Sequence, residues 1–541
     1  MRWLQTFRTI GLALLASLLL ASSHCVEAQT AVVRARSIDA LLDATKYLAK
    51  MAGQETHVAQ LEGLLNQVTG GKGLAGVDRG RPVGLYASLL AGGGGQPVIA
   101  FIPVSDRGKA LDLIRGLGVK IEGDGDSLIE LKPQNGDNSY LRFSKDYAFV
   151  SQRLDLLQGE LPDLAGLPPF PDEATLVTAS LDIKQLPYEF RQLGLAALRK
   201  QSQDQAERDS ARKPGESDAA HRGRVAGMRF ATDRGLRLLE ELHGLNANLK
   251  IDPKTNRATL DIAIEVNPKS EVGRSFERFG EARSAFTAFA RDAAIHGVAS
   301  VPVAIELQSL FRTGFRDGLQ KAIDKEADNR KRELGSKLLN TLDRSLFPDR
   351  YDIAAAIRGP LSDGQYVILF GSKVPGARDL ETVLLDALKD FPPPSDQLTV
   401  QVDHSRHEAT RIHRVTFAKF PDRNAETLYG SPELYVAYRD DMVVAAFGKH
   451  GAELMPALLD DLQRPAEAGT SPIQLDFRLG RLGLLAVDEP GRKFRELTAE
   501  YSKENADHDQ IRLSLSGGSS LKLSLEFDTH LLKLVDKLRP K

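Results

Sequence analysis

Two heptapeptides decide how this sequence is interpreted: GQPVIAF at residues 95–101 and GQYVILF at residues 364–370. Five of their seven positions are identical, at an offset of 269 residues. Upstream, residues 38–42 and 307–311 lie at the same offset, and each stretch opens a helical pattern. Because these matches recur in the same order, the sequence predicts an internal duplication.

The order of the matches also holds downstream of the heptapeptides. The stretch FSKDYAFVS at residues 143–151 recurs as YRDDMVVAA at residues 438–446, and both read as β-hairpins. The strands alternate between apolar and polar residues, which is typical of antiparallel sheets with one buried face. The heptapeptides themselves are apolar and rich in β-branched residues, so we expect both Ile99 and Ile368 to be buried.

The sequence therefore predicts an α+β protein made of two tandem copies of one module, in which helices pack on antiparallel β-hairpins. The first copy covers residues 31–299 and the second covers residues 300–541. The copies differ in two places. Residues 199–224 contain no Val, Ile, Leu, Met or Phe, which indicates a polar excursion that is either helical or disordered. Residues 391–435 lengthen one hairpin of the second copy.

The amino terminus has the pattern of a secretory signal peptide. Arg2 and Arg8 form a basic region, and residues 10–21 form a short apolar run. Small residues then precede a cleavage site, which we place after Ala28, so that the signal peptide is residues 1–28. We expect export to the periplasm or to the cell exterior. No later segment has 18 continuous apolar residues, so we expect no membrane span in the mature chain.

Removal of the signal peptide also removes Cys25, the only cysteine of the chain. A cysteine-free mature chain excludes disulfides, thiol catalysis and thiolate metal sites. A lipid anchor on Cys25 is disfavoured because His24 precedes it, where a small residue is needed. The chain has 71 Lys and Arg against 73 Asp and Glu, so its net charge of -2 gives no field that attracts nucleic acid.

Two glycine-containing stretches resemble ligand-binding motifs but have the wrong context. Residues 71–76 fit GxGxxG, yet a helical pattern precedes them and a strand follows, which is the reverse of a dinucleotide-binding turn. Residues 122–126 are rich in acids, but an EF-hand alignment lacks the required Gly and Glu. GxSxG is absent as well. We therefore expect no cofactor and assign no catalytic residue.

The strongest metal candidate is the set His404, His407, Glu408 and His413. Its string fits neither HExxH nor HxxEH, and it lies between two alternating runs that predict a hairpin rather than a helix. His404 and His407 could meet a zinc ion at the tip of such a hairpin. The preferred interpretation is a surface hairpin without a metal.

The signal peptide, the chain length and the stretch VRARSIDALLD at residues 33–43 resemble those of uncharacterised secreted bacterial proteins with long α+β repeats. This resemblance implies no site residue. The sequence favours an exported, non-enzymatic binding or structural module with an unknown envelope or extracellular partner. The alternative is a hydrolase with a site between the two copies, or a weak metal site at residues 404–413.

Overall fold

A computed structural model describes residues 31–538 and divides them into two compact units. The first unit contains residues 31–201, 238–267 and 526–538, and the second contains residues 202–237 and 268–525. Within this range the structure does not describe 57–62, 64–66, 68–70, 72, 88–97, 124–127, 187, 217, 304, 421–422, 465–470, 487–490 and 506–507.

Antiparallel strands form the framework of both units. In chain order the strands are β1 (Ala31–Ala35), β2 (Val83–Ala87), β3 (Val98–Pro103), β4 (Lys120–Glu122), β5 (Leu128–Lys132), β6 (Ser139–Ser144), β7 (Tyr147–Ser151), β8 (Thr175–Asp182), β9 (Leu242–Asp252), β10 (Arg257–Val266), β11 (Ala293–Pro302), β12 (Arg350–Arg358), β13 (Val367–Lys373), β14 (Leu398–His407), β15 (Thr410–Phe417), β16 (Glu433–Tyr438), β17 (Met442–Phe447), β18 (Ile473–Arg478), β19 (Gln510–Ser516) and β20 (Ser520–Asp528).

The described helices follow the strands singly or in pairs. In chain order they are α1 (Ile38–Ala52), α2 (Arg107–Gly116), α3 (Asp155–Gln158), α4 (Tyr188–Asp209), α5 (Asp218–Glu241), α6 (Glu271–Gly280), α7 (Ile305–Asp324), α8 (Asn329–Leu346), α9 (Ala377–Asp390), α10 (Arg423–Tyr429), α11 (Gly451–Asp461), α12 (Leu479–Gly483), α13 (Arg492–Asn505) and α14 (Leu531–Leu538). The predicted α+β class with antiparallel sheets is confirmed. None of these helices combines the length and the apolar character that a membrane span requires.

Hydrogen-bonded neighbours give each unit a linear strand order. In the first unit the order is β4-β5-β6-β7-β3-β2-β1-β8-β9-β10, and each pair is antiparallel. In the second unit it is β14-β15-β16-β17-β13-β12-β11-β18-β19-β20. The second order is therefore the first with ten added to every label.

Local sequence explains where the first helix begins and ends. The Ser37 hydroxyl accepts a hydrogen bond of 3.0 Å from the Ala40 amide, which caps the amino terminus of α1. Gly53 ends the helix with φ 71°, a left-handed conformation that glycine adopts without steric cost. Ala44 on this helix packs with Leu176 and Ile251, so α1 covers one end of the first sheet.

Apolar clusters lie on both faces of each sheet, and one face of each is called the covered face. In the first unit Phe101 and Phe149 lie on it, and α3 packs over them through Leu157. In the second unit a larger cluster forms on the covered face, where Leu369 and Val444 are fully buried beneath α11.

The prediction that both Ile99 and Ile368 are buried is wrong for Ile368. Ile99 is 4% exposed, whereas Ile368 is half-buried and its neighbour Phe370 is 45% exposed. Side chains alternate between the two faces of a strand, and in β13 the residue on the covered face is Leu369. The two matched heptapeptides are thus one residue out of phase in burial.

The carboxy-terminal helix belongs to the first unit and packs against α1. Leu531 and Leu534 are 2% and 0% exposed. The Tyr47 hydroxyl on α1 lies 2.6 Å from the Thr529 hydroxyl and donates a hydrogen bond of 3.1 Å to Asn256 Oδ1. These contacts hold the carboxy-terminal helix against α1 in the first unit.

Candidate functional site

The four candidate metal ligands lie on one hairpin but do not converge. His404 Nδ1 lies 3.1 Å from Gln401 Oε1 on the same strand. His407 Nε2 lies 2.5 Å from Asp460 Oδ1 on α11. The Glu408 carboxylate instead accepts a hydrogen bond of 3.1 Å from the Gln463 side-chain amide. In the described part of the chain, these residues form no group whose ligand atoms could share one ion.

His413, the remaining histidine of the set, is a structural residue. It is 5% exposed, and its Nδ1 accepts a hydrogen bond of 3.2 Å from the Asp403 amide. The proton is therefore on Nε2, which donates 2.9 Å to Glu381 of α9. Arg411 donates a second bond of 2.9 Å to that buried carboxylate. Both ring nitrogens are thus occupied, and the pair joins the hairpin to the helix.

The two glycine-containing stretches contain no ligand geometry among their described residues. Position 72 and positions 124–127 lie outside the described residues. Gly76 has φ 84°, and a Cβ atom there would lie 2.3 Å from the Ala110 amide nitrogen of α2. This glycine is needed for close packing of the loop against the helix, which is a structural requirement.

A polar cluster lies on the covered face of the second sheet, around Asp476 of β18. Its carboxylate accepts hydrogen bonds from Gln474 (2.6 Å) and Arg512 (2.7 Å), and His296 Nδ1 lies 3.4 Å away. Burial alone raises the pKa of Asp476, but the hydrogen bonds from His296 and Arg512 outweigh it and hold the pKa well below its usual range. Gln510 donates a further bond of 3.3 Å, and a carboxylate kept ionised by four partners is a poor general base.

The opposite face of the first sheet is apolar: α2 covers it over β5 and β6, α1 covers it at Ile251, and the part between them is partly open. We call this face the open face. The strand registers place five residues of it directly opposite one another in one row across five strands: Leu85 (β2), Val33 (β1), Ala179 (β8), Ala247 (β9) and Ile262 (β10). With the whole described chain present, Leu85 is 47% exposed, Val33 is 43% exposed and Ile262 is 37% exposed.

The second sheet also has an open face, and its row is displaced by one strand relative to the row of the first. Its row consists of Phe370 (β13), Ala355 (β12), Gly297 (β11), Leu475 (β18) and Leu513 (β19). Phe370 is 45% exposed and Leu513 is 37% exposed, and the neighbouring row contains Ile353 at 41%.

Neither open face has a charged side chain in these strands. In the first unit, the positions of β1, β2, β8, β9 and β10 on this face, apart from the bulge at Glu265/Val266, are Val, Leu, Ile or Ala: 31, 33, 35, 83, 85, 87, 177, 179, 181, 245, 247, 249, 251, 258, 260, 262 and 264. In the second unit the polar groups on this face of β11, β12, β13, β18 and β19 are two hydroxyls. Tyr351 donates to the Leu346 carbonyl (2.7 Å) and Ser372 to the Lys373 carbonyl (3.3 Å).

Small cavities in the described residues do not offer a comparable surface. One of them, between α1 and the sheet, holds about 150 Å³ and has Ala44, Leu176 and Ile251 in its wall. Pockets for drug-sized ligands usually hold about 300–1,000 Å³. We therefore take the open faces, rather than a pocket, as the candidate functional site.

The open faces could not be found by a search for chemically reactive residues, because they contain none. The usable signal is the alternation in strands such as β9, where Leu245, Ala247 and Leu249 share one face. No family model matches this chain, and no curated protein and no solved structure matches it significantly.

Proposed function

We propose that the protein is an exported, non-enzymatic binding protein that uses its open faces to hold an apolar ligand. The observation that carries the proposal is the exposure of large apolar side chains, from 37% to 47%, within a charge-free row of each sheet. Contiguous exposed apolar surface usually marks a binding site in soluble proteins.

The predicted duplication belongs to the same proposal: the chain holds two copies of one module, and the strand order moves the boundary from 299/300 to a point before Ala293, where β11 begins. Its support is the identical order of ten strands in the two units. The heptapeptides contribute to β3 and β13, which hold the same place in that order. Duplication accounts for two open faces in one chain.

The strand registers also refine the alignment of the two copies. Phe101 is opposite Phe149, and Gly371 is opposite Val444. Since the matched hairpins align Phe149 with Val444, the partner of Phe101 is Gly371 and not Phe370. A one-residue slip moves a side chain to the other face of the sheet, which explains why Phe370 is open.

Export is proposed from residues 1–28, which lie outside the described residues. Cleavage after Ala28 predicts that the mature chain begins at Gln29. An intact mass of the exported protein tests this proposal, and a lipid-modified amino terminus at Cys25 would contradict it.

The binding function is tested with an apolar dye whose fluorescence rises in a nonpolar environment. The mature native protein is expected to bind the dye saturably. Leu85→Lys is expected to weaken binding, because a charge on an apolar floor must be desolvated when the ligand covers it. Leu117→Lys is the matched control, since Leu117 is also 47% exposed but lies at the end of α2. Equal dye binding by both variants would contradict the proposal.

A further inference from the structure

We propose that His413 makes the β14-β15 hairpin sensitive to pH: at acid pH the outer part of β14, residues 402–407, is released from β15 while the rest of the second unit stays folded. This inference goes beyond the binding function proposed above and does not depend on it. Three observations lead to it: the register of the hairpin, the hydrogen bonds of the imidazole ring, and the charges around that ring.

The hairpin contains a bulge opposite His413. The register pairs that flank the bulge are Gln401 with Arg414 and Ser405 with Ile412. Residues 402–404 of β14 therefore share one opposite residue, His413, where a regular ladder places a single residue. Asp403, in the middle of the bulge, has φ 54°, a left-handed conformation that is uncommon outside glycine. A bulge takes its amide out of the regular ladder, so the amide of Asp403 uses a side chain as its partner.

Only the neutral imidazole can hold the bulge in this conformation. Nδ1 of His413 accepts a hydrogen bond of 3.2 Å from the Asp403 amide, so its lone pair is in use. Nε2 carries the proton and donates 2.9 Å to Glu381. A second proton on Nδ1 would point at the amide hydrogen of Asp403, and two donors cannot bond to each other. Protonation therefore requires the Asp403 amide to move away, which releases the bulge.

The charges around the ring are balanced while it is neutral. The groups that are charged or can ionise there come from four elements: Glu381 of α9, Arg411 of β15, Asp403 and Arg406 of β14, and Tyr438 of β16. Arg411 lies 2.9 Å from the same Glu381 oxygen that His413 contacts, and Arg406 donates 2.9 Å to Asp403. Burial raises the pKa of the Tyr438 hydroxyl, which keeps it neutral. A proton on the ring would thus add a surplus positive charge at a buried place.

The release is expected to stay local, because the two strands of the hairpin are held differently. In the described sheet, β14 lies at the end of the strand order and pairs with β15, whereas β15 also pairs with β16. Ile412 of β15 is 1% exposed and belongs to the core cluster of the second unit. The outer part of β14 is instead held by contacts of its surface side chains, such as His407 with Asp460. Acidification is therefore expected to release β14 and leave β15 in the sheet.

Hydrogen exchange of the native mature protein, measured by mass spectrometry of peptides from each strand, tests the proposal. The released state binds one more proton than the held state, so its population rises as pH falls. A solvent-exposed imidazole titrates near pH 6.5, so a change from about pH 7.5 to about pH 5.5 is expected to lower the protection of amides 402–407 roughly tenfold, after correction for intrinsic exchange. Peptides from β15 and β16 are expected to keep their protection.

His413→Asn is the decisive variant, because the asparagine oxygen can accept the Asp403 amide bond and gains no proton in this pH range. Its protection at residues 402–407 is expected to be the same at both pH values. His404→Gln and His407→Gln are the matched controls, since each removes another imidazole of β14 and is expected to keep the tenfold change. Circular dichroism checks that each variant is folded.

Unchanged protection of the native protein between the two pH values would overturn the proposal. A tenfold change that persists in His413→Asn would overturn it as well, because another group would then be responsible. If His413→Asn does not fold, the nitrogen-15 chemical shifts of labelled histidine decide instead: Nδ1 of His413 must gain its proton over the pH range in which protection is lost, and a ring that stays neutral there refutes the proposal.

Discussion

Adjacent residues of β13 should respond very differently to truncation, because they lie on opposite faces of the sheet. Leu369 is 0% exposed and belongs to the core cluster that contains Phe286 and Phe289. Leu369→Ala is expected to cost about 2–5 kcal/mol of unfolding free energy, because it removes buried methyl groups and leaves a cavity. Phe370→Ala removes a larger side chain, but 45% of that side chain is already exposed, so we expect a cost of about 1 kcal/mol.

The assay is urea unfolding of the ligand-free protein, followed by far-ultraviolet circular dichroism. Leu369→Ala should move the transition midpoint to clearly lower urea, while Phe370→Ala should change it little. Ile368→Ala serves as a second open-face variant, with an expected small effect for the same reason. If Phe370→Ala lowers the midpoint as much as Leu369→Ala, the assignment of the two faces of β13 is wrong.

Three further predictions concern titratable groups in the second unit. Burial raises the pKa of Asp352 above its ordinary 3.8, so the protonated carboxyl stabilises the fold fully below pH 3.8, and this contribution is lost as pH rises through the folded-state pKa. Asp352→Asn should therefore raise the melting temperature at pH 7 but not at pH 3. An unchanged melting temperature at pH 7 would contradict this. A hydrogen bond to Asp363 raises the pKa of His450 above 6.5, so this pair stabilises the fold fully below pH 6.5 and less as pH rises through the folded-state pKa. His450→Gln should reduce the fall in melting temperature between pH 6 and 8, and an unchanged pH dependence would contradict this. His407→Ala should leave the melting temperature unchanged with zinc or with a chelator, and a chelator-induced loss in the native protein would restore the metal hypothesis. His413→Ala should cost about 1–3 kcal/mol of unfolding free energy, because Glu381 loses one donor and keeps Arg411.

Much of the architecture follows from sequence periodicity. Alternation in residues 143–151 and 438–446 correctly predicts two hairpins, β6-β7 and β16-β17. Periodicity does not fix the register between strands, because that depends on hydrogen-bond pairing across the sheet. The five-residue identity of the heptapeptides therefore led to a wrong burial for Ile368, even though both segments contribute to strands.

The candidate site was much harder to predict. Sequence reasoning looks for residues with reactive or metal-binding groups, and it singled out His404, His407 and His413. Their actual partners come from other elements, such as Asp460 of α11 and Glu381 of α9, which lie 53 and 32 residues away in sequence. An apolar face gives no such residue type to search for. Whether it is covered depends on where the helices pack, which alternation within a strand cannot reveal.

The polarity of the first sheet changes along its strand order, and this change is the strongest argument that the open face has an occupant. In β3 both faces are apolar, and Ile99 and Phe101 are buried on the covered face. In β9 the covered face is polar, with Asn246 and Asn248, so only the open face is apolar there. The open face is thus the apolar surface that continues across the sheet from β3 to β10, where α1 covers its end at Ile251 and Val177. Leaving such a surface exposed to water costs free energy in proportion to its area. Leu85 is 47% exposed, and the proposed function predicts that it contacts the apolar ligand.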